Sequence, residues 1–161
     1  MNRKNDDPKP LFLEDLHVGQ RFTSGLYHLD SDQIKAFAAE FDLQPFHLVE
    51  TAANDGVFHG LAASGWHTAA IPMRLLVTGD LPLACGLIGL GVEIVWSKPV
   101  RPGDMLKVES EITEISPSRT KPDRGAVKVR SVTINQNGDH VQAFIAKLLV
   151  FRHAADSEPL L

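Results

Sequence analysis

From Gly56 to Gly79 the chain carries no aspartate or glutamate, and Leu61, Ala62, Ala63, Trp66, Ala69, Ala70, Ile71, Met73, Leu75, Leu76 and Val77 crowd into its second part. Apolar side chains around most of a helical circumference leave little face for water. The stretch from Gly60 to Gly79 therefore predicts one long helix buried on nearly every side. Pro72 stands in its interior, where a missing amide hydrogen and a ring clash predict a kink or local break.

The pattern changes after Leu87. Val92, Ile94 and Trp96 alternate with Glu93 and Val95; Leu106, Val108, Ser110 and Ile112 with Lys107, Glu109 and Glu111; Val127, Val129 and Ser131 with Lys128 and Arg130. A period of two predicts half-buried antiparallel strands. Val141 to Phe151 is apolar on both faces, which suits a central strand or one covered by another subunit. Turns are expected at Pro99 to Asp104, Ser116 to Gly125, and Asn137-Gly138-Asp139, the last a tight-hairpin signal. Before the apolar helix, Leu11 to Phe22 leads in through a Val18-Gly19-Gln20 turn, and Arg21 to Leu29 reads as a strand. Asp30 or Ser31 can cap a short amphipathic helix carrying Ile34, Phe37, Ala38 and Phe41. Pro45 stops its continuation and makes Asp42 to His47 a constrained turn, after which a second short helix runs from about Val49 to Asn54.

One long helix with about four antiparallel strands after it and one before it gives an α+β domain, its sheet wrapped around the helix. A length of 161 residues supports a single domain, drawn here as residues 11–153 between a disordered lead-in, 1–10, and a flexible tail, 154–161. A net charge of -4 argues against polyanionic partners, which need a concentrated surplus of Lys and Arg. The single cysteine, Cys85, has no partner for a disulfide or a metal knuckle and is expected as a small buried hydrophobe in a reducing compartment. Neither a signal peptide nor an uninterrupted membrane-length apolar run is present, so the protein is expected in the cytoplasm.

Function should be sought where Asp42-Leu43-Gln44-Pro45-Phe46-His47 precedes Ser64-Gly65 at the mouth of the apolar helix. A carboxylate, an imidazole and a free helix-terminal amide are the minimum set for moving protons beside a polarised carbonyl. Asp42 and His47 can share one water, and Gly65, lacking a side chain, lets a carbonyl reach its amide. Each residue alone has a plainer explanation: Asp42 as a turn former, Ser64 as a helix cap. His59 and His67 are eight residues apart rather than four, so no metal is expected.

With Lys98-Pro99-Val100-Arg101-Pro102-Gly103-Asp104, these residues resemble the MaoC-like dehydratases, or (R)-specific enoyl-CoA hydratases, of the hot-dog fold. The likeness spans roughly Leu11 to Phe151. Gln44 stands where that family most often has Asn, and Val49 where an acidic residue commonly follows the histidine. The resemblance implies a hot-dog domain and an Asp42/His47 pair acting on the catalytic water. It also implies a thioester carbonyl on the Gly65 amide, no cofactor beyond the coenzyme A of an acyl-CoA substrate, and a homodimer whose subunits both bound the tunnel. Ser64, Gln44 and Trp66 are the further substrate-binding candidates, Trp66 restricting the pocket by bulk. Trp66, Met73, Leu76 and Val77 form a face that is more often core than groove, although the family's acyl tunnel runs beside it. Arg119, Lys121 and Arg124 offer a basic loop for coenzyme A phosphates, with a solvated hairpin as the commoner reading. A thioesterase, or a dehydratase acting on acyl carrier protein, would want a carboxylate on the central helix, which this chain lacks. A non-catalytic acyl-CoA-binding or scaffold subunit is the remaining alternative.

Overall fold

A computed structural model of the protein describes residues 9–154; the expected lead-in and tail fall largely outside these residues. The elements follow in the order β1 (Arg21–Thr23), β2 (Tyr27–His28), α1 (Ser31–Phe41), α2 (Pro45–Leu48), α3 (Glu50–Asp55), α4 (Gly65–Leu75), β3 (Ile88–Trp96), β4 (Met105–Pro117), β5 (Arg124–Ile134) and β6 (His140–Phe151). All strand pairs are antiparallel, in the order β1-β4-β5-β6-β3, with β2 also on β4. The single N-terminal strand expected over Arg21 to Leu29 is thus two short pieces, while β6 is central as its two apolar faces required.

Register builds rows of side chains across the sheet. Val108, Thr133, Gln142 and Trp96 form one; Ser110, Ser131, Phe144 and Ile94 the next; Ile112, Val129, Ala146 and Val92 the third. Helix α4 covers this face, and Ile71 and Leu75 join Val108, Ile112, Val129 and Leu148 in one core. Burying such side chains contributes about 1.5–3 kcal/mol each and fixes the helix on the sheet.

The long helix differs from expectation in three ways. It begins at Gly65 rather than Gly60, because the Ser64 side chain accepts from the Trp66 amide and caps it there. It runs through Pro72 and changes only at Leu76–Asp80, where it widens into a π turn. It is not buried all round: Trp66, Met73 and Val77 are exposed, while Leu76 from the same predicted face packs inside. Edge strand β3 departs further, since it pairs only with β6 and is exposed on both faces for most of its length. Alternation in sequence gives which residues share a face, not whether anything covers it. Cys85, expected inside, is exposed.

Elsewhere local chemistry explains the elements. Asp30 caps α1 by accepting from the Gln33 amide, and the Asp30 amide in turn donates to the Gln33 side-chain oxygen. Pro45 opens α2 rather than merely ending α1, since its fixed φ and absent donor suit a first helical position. The β5–β6 turn closes on the Asn135 side chain, which accepts from the amides of Asn137 and Asp139, with Gly138 at φ 80°. No helix among the described residues is long and apolar enough to cross a membrane.

Candidate active site

Three segments converge beside the start of α4: the C-terminal cap of α1, the short helix α2, and the extended residues leading into Ser64. Asp42 ends α1, its amide bonded to the Ala38 carbonyl. His47 lies one turn into α2 and is buried, with 4% of its surface exposed. What sequence read as a constrained turn is a helix end at Phe41 followed by a helix start at Pro45, which brings the two side chains within 3.4 Å of each other.

The Asp42 carboxylate accepts from Ser64 Oγ at 2.6 Å and from Gln44 Nε2 at 2.8 Å. Its Oδ2 lies 3.4 Å from His47 Nε2. Burial works to raise the Asp42 carboxyl, but the Ser64 and Gln44 hydrogen bonds and the charge of His47 outweigh it. The group is held below its ordinary value and is ionised at neutral pH. On the far side of the imidazole, Nδ1 stands 2.7 Å from the Ala62 carbonyl oxygen. A carbonyl cannot donate, so Nδ1 carries a hydrogen, and neutral His47 presents the Nε2 lone pair toward Asp42. Phe46 and Phe58 pack on the ring, at centroid separations of 4.6 and 6.0 Å. These contacts fix the imidazole's orientation before any substrate arrives.

Ser64 performs two tasks through one oxygen, donating to Asp42 and accepting from the Trp66 amide at 3.2 Å. The capping role and a role at the site are therefore the same geometry. Gly65 is the first residue of α4, and among the described residues its amide has no acceptor in reach. A Cβ built on Gly65 would lie 3.0 Å from Trp96 Cε2, and the Trp96 indole donates to the Gly65 carbonyl at 2.9 Å. Glycine accommodates the close approach of an aromatic wall, which a Cβ would press back by a few tenths of an ångström.

Trp66, expected to narrow the pocket by bulk, is 64% exposed and meets Trp96 edge-on at 5.8 Å between centroids. Trp96 is the wall, and sequence reasoning read it only as one of three alternating apolar residues. Arg101 was also missed as a functional residue: its guanidinium donates to the carbonyls of Phe58, Gly60 and Leu61 and so braces the segment that carries Ala62. Its place in the quoted Lys98–Asp104 run was the available signal. The Ala62 carbonyl had none, because a backbone group leaves no mark in composition. Asp42, Gln44, His47, Ser64, Gly65 and Trp66 all line one cleft of about 460 Å³, together with Trp96 and Lys98. The basic loop is remote: Arg124 lies opposite Phe151, at the end of β6 away from the Gln142–Trp96 pair, and holds Asp123 by two hydrogen bonds.

A buried imidazole of fixed tautomer, an ionised carboxylate 3.4 Å away and a free helix-terminal amide make an arrangement suited to proton transfer beside a carbonyl. The model of the MaoC like domain family matches residues 16–135. A Bacillus subtilis (strain 168) protein described as "Uncharacterized protein YdeM" is 33% identical over 145 residues, spanning 86% of this chain and 96% of its own. The crystal structure of the MaoC-like dehydratase from Rhodospirillum rubrum superposes with a TM-score of 0.88 at 57% identity, over 90% of this chain and 99% of that one. The R-hydratase PhaJ1 from Pseudomonas aeruginosa gives a TM-score of 0.70 at 26% identity, over 94% of this chain and 96% of its own.

Proposed function

The chain belongs to the MaoC like domain family and has the hot-dog fold of its neighbours, and on that premise we propose that it is a hydro-lyase for acyl thioesters. The reaction is addition of water to a trans-2-enoyl-CoA, or its reverse, dehydration of a 3-hydroxyacyl-CoA. The carrying observation is that Asp42, His47 and the free Gly65 amide line one cleft.

A water between the two side chains donates one hydrogen to Asp42 and the other to His47 Nε2, which leaves its lone pairs for carbon. The Asp42 carboxylate accepts from Ser64 and Gln44, and with about four lone-pair sites it retains capacity for the water. As the water oxygen bonds to C3, its proton passes to Nε2. The depressed Asp42 pKa suits that division, because a carboxylate that stays ionised stabilises the imidazolium and is the weaker base. Charge moves from the C2–C3 double bond to the thioester oxygen, where the Gly65 amide and the α4 dipole offset it. The imidazolium then returns a proton to C2, and the pair ends as it began.

Loss of enoyl-thioester absorbance across chain lengths tests this reading. Wild type is expected to turn over at least one enoyl-CoA, and Asp42→Asn or His47→Ala to lose about 10²–10⁴-fold in kcat, the usual weight of a general acid or base. Full activity in both variants would overturn the residue assignment. Absence of turnover on every acyl-CoA, with binding retained, would favour a non-catalytic subunit; release of free thiol would favour a thioesterase.

A further inference from the structure

A second cavity, of about 320 Å³, lies between α4 and the sheet, lined by residues that follow those of the cleft along both α4 and β3. The helix supplies Gly65, Trp66 and Thr68 to the cleft and, on its next turns, Ala69, Pro72, Met73 and Leu76 to the cavity. Strand β3 does the same, with Trp96 in the cleft and Ile94 and Val92 in the cavity. Its volume lies within the range of about 300–1,000 Å³ that small-molecule sites occupy. The lining is apolar but for Ser131 and Gln142.

Gln142 is the anomaly. It has no exposed surface, among the described residues its Oε1 has no hydrogen-bond partner, and its side-chain bond from Nε2 to Thr133 Oγ1 is long at 3.4 Å. A buried amide left half unpaired is a standing cost that a purely structural residue would not carry, and an aliphatic side chain of similar size would avoid it. Register places Gln142 directly across from Trp96, whose indole holds the Gly65 carbonyl. Cross-strand partners share a face about 5 Å apart. Gln142 thus stands at the end of the cavity nearest the Gly65 amide, and Phe144, Ala146 and Leu148 line its deeper part.

Resting on the hydro-lyase reading, we infer that Gln142 is a specificity-determining residue, and that the preferred acyl group carries a hydroxyl on the carbons just beyond C3. A thioester held at Gly65 sends its chain past Trp96 and Gln142 into the apolar cavity. A hydroxyl pairs with either edge of the amide, as acceptor or donor, whereas a plain alkyl chain leaves Oε1 unpaired. The cavity beyond takes the apolar remainder.

The test uses matched enoyl-CoA pairs of equal length, with and without a hydroxyl at C4, C5 or C6, against wild type and Gln142→Leu, with Gln142→Met as second variant should the first not fold. Wild type is expected to favour one hydroxylated member by on the order of tenfold or more in kcat/KM. Gln142→Leu should abolish or reverse that preference while retaining turnover of the plain chain. Equal rates within every pair, or an unchanged preference in the variants, would overturn the inference. If no pair turns over, the hydro-lyase reading fails by itself. Calorimetric binding of the same pairs then decides on Gln142, tighter binding of the hydroxylated member to wild type alone supporting it and equal binding refuting it.

Discussion

At the residue scale, Asp42 shows how surroundings hold a common turn former as an ionised carboxylate between Ser64, Gln44 and His47. Its folded pKa is depressed, so its ionised form stabilises the fold above the ordinary value near 3.9, and that contribution is lost as pH falls through the folded value. Wild type should therefore lose stability relative to Asp42→Asn on acidification from about pH 5 to about pH 3. Thermal melts of both proteins across that range check the sign. Ser64→Ala removes a cap and a donor together. It should cost about 0.5–2 kcal/mol in denaturant unfolding and move the Asp42 carboxyl resonance to titrate at higher pH. The pairing of Asp42 with His47 was legible from their spacing. Ser64's bond to Asp42 was not, because 22 positions separate the two and only tertiary contact joins them.

At the scale of elements, the site depends on pieces that never touch substrate. Arg101 braces three carbonyls between α3 and α4, and the next residue along, Ala62, fixes the His47 tautomer. Arg101→Ala should cost about 1.5–3 kcal/mol, since the lost bonds involve a charged donor. It should also lower kcat more than it raises KM, because in the proposed mechanism the imidazole it orients acts in the chemical step. A parallel fall in stability with unchanged kcat would show Arg101 to be structural only. The elements themselves were readable in kind. The apolar run gave a helix and the alternations gave strands, but the helix start moved five residues because Ser64, not the apolar pattern, sets the cap. Pro45 likewise was read as a stop when its position makes it a start.

For the whole molecule, the exposed edge is the commanding feature. Ile88, Leu90, Val92, Val95 and Trp96 on β3 lie exposed near Trp66, Met73 and Val77 of the α4 region, an apolar surface of both faces beside an unpaired edge. Pairing β3 with a second copy would join two sheets edge to edge and cover it. Sedimentation should give the mass of two chains at micromolar concentration, and Val95→Lys on the edge strand should shift it toward one. A wild-type monomer under those conditions would exclude the dimer.

The amino-acid sequence by itself determined the classes of element, their order, and the nearness of Asp42 to His47, because periodicity, capping chemistry and short-range spacing are local properties of a chain. Only the tertiary structure decided which faces are covered, that Trp96 rather than Trp66 walls Gly65, and that Arg101 and the Ala62 carbonyl stand behind His47. It also left one edge of the Gln142 amide unpaired at the end of an apolar cavity. These depend on strand register and long-range packing, in which residues tens of positions apart meet, and no window along the chain contains both partners.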